Sequence, residues 1–505
     1  MRRILLLTVA LLLSTVPAAG AADWTDGGSI TDPDQTAQPV QVAVDGQAEA
    51  GFAWSGYAQE GGDARPLLRR RVFGQALGNP RALFGGSGAA SVRAAADEFL
   101  LTLQTPLATP QQIFTQSHRD GTITADTIVG AAPDERICAQ DTELGANGRA
   151  IVVYGLSPGG DTPPPNTPCT LFARVRPAPG RSFEPPVELG QSERFGGGVS
   201  VALDDGGRGF VTWRDPFARR VNATRYEPAT GFAATPQILN VPGEDPAATP
   251  SPILRVAAGG RAIVTFPSRA ASGANDHVAV ATGDTRTGFA PTAVVSGPAV
   301  LSAGYGIDLD AAIGADGTVG ITWRAGRNAK ARIQGLVADP TELVSAEQTE
   351  ALSAYGARGP RVAVGAGRAT MAWFRLVPGV GRAVESAYGR PADGLGSARR
   401  ISDGPVPPFP PKIAAAARGA TWIVWGFGLR DRSSDASRVL QARKLTLSSN
   451  SYSRVLDVLR ARTNIGEFIS PISTQIAATR NDAMLAAVTR DRASSRFFQL
   501  RTYGE

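Results

Sequence analysis

The sequence predicts an all-β repeat fold from three observations: hairpins that recur along the whole chain, dense turn punctuation, and two termini that complement each other. The hairpins are clearest at Val201-Ala-Leu-Asp-Asp-Gly-Gly-Arg-Gly-Phe-Val-Thr-Trp213 and Ala312-Ile-Gly-Ala-Asp-Gly-Thr-Val-Gly-Ile-Thr-Trp323. Val362 to Trp373 and Val42 to Trp54 follow the same plan. Each is a short apolar strand, a Gly- or Asp-containing turn, and a second strand that closes on an aromatic, which is the signature of a β-hairpin. The 58 glycines and 37 prolines fit many turns and few helices. Only the alanine-rich stretch around Ala94 is ambiguous between helix and strand.

The closing position recurs as Trp54, Leu103, Tyr154, Trp213, Phe266, Trp323, Trp373, Trp425 and Val488, roughly every 50–60 residues. Between the hairpins lie a third strand, as at Leu171–Val175, Val221–Tyr226 and Val439–Arg443, and a fourth, as at Pro186–Leu189, Pro236–Leu239 and Arg399–Ser402. Four short strands per unit make the blade of a β-propeller, whose inner strands are buried on both faces and read as apolar throughout. The last unit supplies a hairpin from Thr474 to Val488 and a third strand, Arg496–Tyr503, but no fourth. The N-terminal segment Gly28-Ser-Ile-Thr-Asp32 resembles the fourth strand at Arg400-Ile-Ser-Asp403. Pairing the two ends within one blade closes a ring and covers an open sheet edge. The expected fold is therefore a single propeller of eight or nine four-stranded blades. The unit closing at Leu103 decides the count: it lacks the aromatic and, read as an insertion, leaves eight.

Domain organisation is simple. Arg2 and Arg3 precede an apolar run from Ile4 to Val16, Pro17 breaks it, and Ala19-Gly20-Ala21 offers small residues for cleavage. That order reads as a secretory signal peptide at 1–21, with the propeller occupying 22–505 and the product soluble outside the cytoplasm, or periplasmic where an outer membrane is present. No later apolar run reaches membrane-spanning length. The two cysteines, Cys138 and Cys169, read as one disulfide in an oxidising compartment, flanking a Pro-rich loop at Pro163–Pro168. The first is expected to precede the first strand of its unit and the second to open the third.

The formal charge is +6 and is carried almost wholly by arginine, Lys330, Lys412 and Lys444 being the only lysines. The charge is scattered and is not interleaved with aromatics, which speaks against nucleic acid as a partner. The string Gly155-Leu-Ser157-Pro-Gly159 matches a nucleophile elbow, but the prolines that follow forbid the helix an elbow needs, and a loop is expected. Asp204-Asp205 reads as hairpin-turn chemistry, and Asp308/Asp310 as a strand-borne acidic pair; neither offers a full calcium-ligand series. His118 and His277, at third strands of different units, read as ordinary surface residues. No metal or other cofactor is implied.

At this point the chain resembles the secreted β-propeller repeat proteins of GC-rich bacteria, a loose group described as sialidase-like or WD40-like. The strings that carry the resemblance are Asp205 to Trp213 and Asp316 to Trp323; they depart from the Asp-box spacing of true sialidases. The resemblance implies the fold, and binding or scaffolding as the commonest role, with glycosidases or lyases a minority.

One pattern of the residues points to a site. Arginine follows the closing aromatic at Arg214, Arg324 and Arg375, with Arg430 further along. In a ring these positions share one end of the blades and form a cationic rim suited to an anionic glycan or cell-wall polymer. The alternative is that each stacks on its Trp or pairs with a neighbour such as Asp215. Long loops at Gly56–Pro66, Leu156–Pro168 and Gly428–Ser437 add variable surface. The expected function is an extracellular binding or scaffold protein. The rival is a glycan-cleaving enzyme with carboxylates and arginines converging on the central channel.

Overall fold

The structure is a computed structural model and describes residues from 25 to 503 apart from short stretches, the longest at 58–64, 83–89, 106–110, 160–166, 193–197, 271–275, 297–308, 430–436, 461–467 and 479–483. The leader at 1–21 lies outside the described residues. The fold is all-β: among the described residues helical conformation is confined to a 3₁₀ turn at Ala346–Gln348 and to Lys330.

The strands form eight hydrogen-bonded sheets arranged as a propeller. Seven sheets carry one repeat unit each. The eighth has nine strands and joins the last two units through a single residue pair, Ser437 with Ile469. The nine sequence units thus distribute over eight sheets. The unit closing at Leu103 is no insertion; its strands Ala90–Ala95, Glu98–Gln104, Gln112–Arg119 and Thr122–Gly130 form a regular sheet. The alanine-rich stretch around Ala94 is its innermost strand. A strand there gains ladder hydrogen bonds to Glu98–Leu103, which outweigh the helix preference of alanine.

Each unit runs outward from the first strand at the channel to the fourth at the periphery. The first strands, Gln41–Val44, Ala90–Ala95, Glu135–Leu144, Ser200–Leu203, Ile253–Val256, Leu309–Ile313, Ala357–Gly365, Lys412–Ala415 and Phe468–Ala478, touch one another in sequence order, and the last returns to the first. Nine hydrophobic clusters separate successive units. One joins Trp323, Val319 and Ile321 to Ile263, Val278 and Val280 of the preceding unit. The closing aromatics Trp54, Trp213, Trp323 and Trp373 are all at most 2 % exposed, so each fills the layer between two units.

The ring is sealed as its ends suggested. Thr25–Ser29 pairs antiparallel with Ser495–Tyr503, Thr25 opposite Thr502 and Ser29 opposite Gln499. Ile30 follows and is fully buried against Leu500 and Trp54, so the clasp locks the last unit to the first.

Cys138 and Cys169 form a disulfide with a Cα–Cα distance of 6.2 Å. Cys138 does not precede its first strand but lies inside it, at a bulge between Ile137 and Ala139. The two cysteines therefore belong to the first and third strands and meet over the second at Gly155. A Cβ there would stand 2.2 Å from the Cys169 sulfur and 3.0 Å from that of Cys138. The bulge and the missing side chain together let the bond cross a strand.

Candidate functional site

Hairpin register decides which side chains surround the channel. The first-strand residue paired with the position just before each closing residue forms one row around the ring. Read in chain order, that row contains Asp141, Asp310, Arg361, Lys412 and Gln475, opposite Val153, Thr322, Ala372, Val424 and Ala487. Two residues further along lies a second row. It carries Arg93, Glu143 and Arg255, and alanine at Ala43, Ala202, Ala312, Ala363, Ala414 and Ala477.

Part of this charge serves the backbone. An innermost strand leaves one edge without a ladder partner, so its N–H and C=O groups need other partners. Asp141 accepts hydrogen bonds from the Thr142 N–H and, across the unit boundary, from the Val201 N–H, both at 2.9 Å. Asp310 does the same for Ala311 and Val362, each at 3.0 Å. Arg255 donates to the carbonyls of Ala311 and Leu254, Arg93 to that of Val92, and Arg361 to that of Pro360.

Residues of five consecutive units then line one open cavity of about 280 Å³, among them Arg255, Asp310, Arg361, Lys412 and Gln475. Burial raises the Asp310 carboxyl above its ordinary range, against the pull of Arg361. Burial lowers the Lys412 ammonium, and the adjacent Arg361 charge lowers it further. Among the described residues no carboxylate, carbonyl or hydroxyl accepts a hydrogen bond from Lys412. Two like charges thus sit together at one cavity. On the other side of the channel Arg93 bridges Asp141 at 3.2 Å and Glu143 at 3.7 Å. Burial pushes Glu143 up to about 7 despite Arg93, and Asp141 adds to the rise.

The arginines singled out from the sequence sit elsewhere, at the outer ends of second strands in three different units. Arg375 donates through Nε and Nη2 to Glu385 Oε1, at 2.8 and 2.5 Å. The other oxygen of Glu385 accepts the Trp373 indole N–H at 3.0 Å. The side-chain bond to Glu385 raises the Arg375 guanidinium. Arg324 is only 5 % exposed. Arg214 is part-buried and donates to the Pro246 carbonyl at 3.5 Å, and burial lowers its pKa. Pairing, not stacking on Trp, is what Arg375 does. Arg430 and Asp308, and the middle of each of the three long loops, lie outside the described residues.

The remaining motifs resolve structurally. Asp204 accepts from the Arg208 N–H and Nε and from Thr285 Oγ1 of the next unit, a turn role as expected. Ser157 is in the second strand Ala150–Pro158 rather than a loop, and is 1 % exposed. The long apolar run of that strand carries it as far as the proline at 158. His118 is not a surface residue: it is 1 % exposed, and burial, aided by Arg70 and Arg81, pushes its pKa down to about 4, so it stays neutral. His277 is half-buried, 4.0 Å from Glu244.

No family model matches this chain, and no curated protein matches it. Among solved structures it is similar to the WD40 domain of SCAP from fission yeast, at 7 % identity and a TM-score of 0.47, covering 96 % of this chain and 98 % of that one. It is also similar to polysaccharide lyase Uly1, at 9 % identity and 0.43, over 94 % and 98 %. A third is the β-propeller domain of the Trilobed protease from Pyrococcus furiosus, at 11 % identity and 0.35, over 74 % and 98 %. The chemistry of the site is argued from this chain's residues alone.

Proposed function

We propose that this chain is an exported binding protein whose central channel takes the anionic group of a glycan or cell-surface polymer. The observation that carries the reading is that Lys412 and Arg361 line one cavity together, the Arg361 charge adding to the lowering of the Lys412 ammonium. Arg255 adds a third cation, against the single carboxylate of Asp310. A low-dielectric wall strengthens the attraction of such a cluster for an anion, which would relieve the repulsion between the cations. Guanidinium forks suit carboxylate, sulfate or phosphate oxygens, and the lysine adds a point charge. The disulfide is compatible with life outside the cytoplasm. Among the described residues no helix is long and apolar enough to cross a membrane.

Calorimetric titration with dextran sulfate and with neutral dextran of equal length tests the reading. Binding is expected for the sulfated polymer alone, and equal binding of both would reject it. The rim of Arg214, Arg324 and Arg375 is an outer candidate contact for the same polymer, supported by its recurrence beside closing tryptophans. Retention lost from an anionic polysaccharide column when all three become alanine would place the contact there. A glycan-cleaving activity is a second reading, favoured by Asp141 and Glu143 sharing Arg93 in the channel. New reducing ends or unsaturated products from an acidic polysaccharide would establish it.

A further inference from the structure

We propose that Glu143 is a proton-operated gate on the channel, so that anion binding tightens on acidification. The inference rests on the channel reading and adds regulation to it.

The geometry is the first support. In the second channel row Glu143 is the sole carboxylate, and the other charged members are Arg93 and Arg255. Every other residue of that row is alanine, so nothing else there titrates. The strand preceding it in the ring brings Arg93, which Glu143 shares with Asp141 of its own strand. The strand following it, Ser200–Leu203, brings no titratable side chain. Two strands further round the ring Arg255 acts on both Glu143 and Asp141, and the same Arg255 lines the cavity with Arg361 and Lys412. Arg255 thus stands between the acidic side of the channel and the cationic side.

Protonating Glu143 changes that balance. The second row goes from two cations and one anion to two cations and none. Arg93 then faces Asp141 alone, and Arg255 loses one of the carboxylates that compete with a ligand for its field. Asp141 does not take over the role, because its two oxygens are held by the Val201 and Thr142 N–H groups and by Arg93. The value near 7 puts the change where extracellular fluids vary. Burial and Arg361 lower the Lys412 ammonium, and loss of its proton would pull in the same direction. Glu143→Gln separates the two, because an amide keeps the side-chain shape and its acceptor for the Leu144 N–H while removing the titration.

The probe is dextran sulfate, whose sulfate esters keep their charge between pH 6 and 8. Its affinity for the mature full-length chain is measured at both pH values and constant ionic strength, for wild type, Glu143→Gln and Arg361→Ala with Lys412→Ala. Wild type is expected to bind about fivefold more tightly at pH 6, the lower end of ordinary coupling between sites. Glu143→Gln is expected to bind tightly at both. Wild-type affinity that is equal at the two pH values, while the double variant still abolishes binding, overturns the gate and leaves the channel reading standing. A pH effect that persists in Glu143→Gln also overturns it, assigning the proton to another group of the channel such as Asp310 or Lys412. Unaltered binding by the double variant overturns the channel reading, and the gate with it.

Discussion

Arg375 and Lys412 are both cations near the ends of adjacent units, yet they occupy opposite situations. Arg375 lies where a second strand meets a third, and the register sets Glu385 across from Trp373, one position from where the guanidinium needs it. One carboxylate then satisfies an indole N–H and an arginine, each half of the bond supporting the other. Lys412 lies on an innermost strand, whose channel edge has no neighbouring strand to bring a partner. The contrast teaches that in a ring of blades the availability of a charge depends on strand position more than on recurrence in sequence. Charges within a sheet have a facing strand to answer them. Charges at the channel are answered by backbone groups at strand edges and by side chains of neighbouring units, as Asp310 and Arg255 are, or by whatever enters the channel.

The difference can be broken by exchanging what each group is asked to do. Arg361→Ala with Lys412→Ala should weaken dextran sulfate binding about a hundredfold at a stability cost of about 1 kcal/mol, the Arg361 bond to the Pro360 carbonyl being lost. Glu385→Ala should do the reverse. It strands a part-buried guanidinium and a buried indole N–H, and should cost about 3 kcal/mol in denaturant unfolding, with polymer binding within about twofold of wild type. A second structural test removes the staple: Cys138→Ser with Cys169→Ser should lose about 2–4 kcal/mol, because the bond closes a loop of 31 residues. Binding should survive, as the bond joins strands one and three at the far end from Glu143.

The smallest effect concerns pH. The Glu143 carboxyl is raised from 4.5 to about 7 in the fold, so the native state holds an extra proton between those values. The stabilisation this gives is complete below about pH 4.5 and is lost as pH rises through 7. Glu143→Gln should therefore unfold like wild type at pH 4 and be more stable by about 1–2 kcal/mol at pH 8, a range reduced for a side chain that is 29 % exposed. A variant less stable than wild type at pH 8 would contradict the burial argument.

Much of the fold was legible because a repeated hairpin writes its own period. The turn glycines, the closing aromatics and the unpaired terminal strand each reflect a local geometric need, and each repeats or is conspicuously missing. The Leu103 unit was ambiguous because leucine fills the same inter-unit layer as tryptophan, without the aromatic signal. Its Glu98 also engages Arg176 of the next unit in a buried pair at 2.6 Å, which no local pattern reveals. The channel was harder to see. Its charged residues occur once per short strand, in different units, and with either sign, so no recurrence draws attention to them. The signal that finds them is register. Counting back across the hairpin from Trp323, Trp373 and Trp425 leads to Asp310, Arg361 and Lys412.

The most direct test is a crystal structure of the chain with a sulfated oligosaccharide bound. A sulfate group within hydrogen-bonding distance of Lys412 Nζ, flanked by Arg361 and Arg255, is the expected result. An oligosaccharide seated away from the channel, with the Lys412 ammonium still lacking an acceptor, would contradict the account.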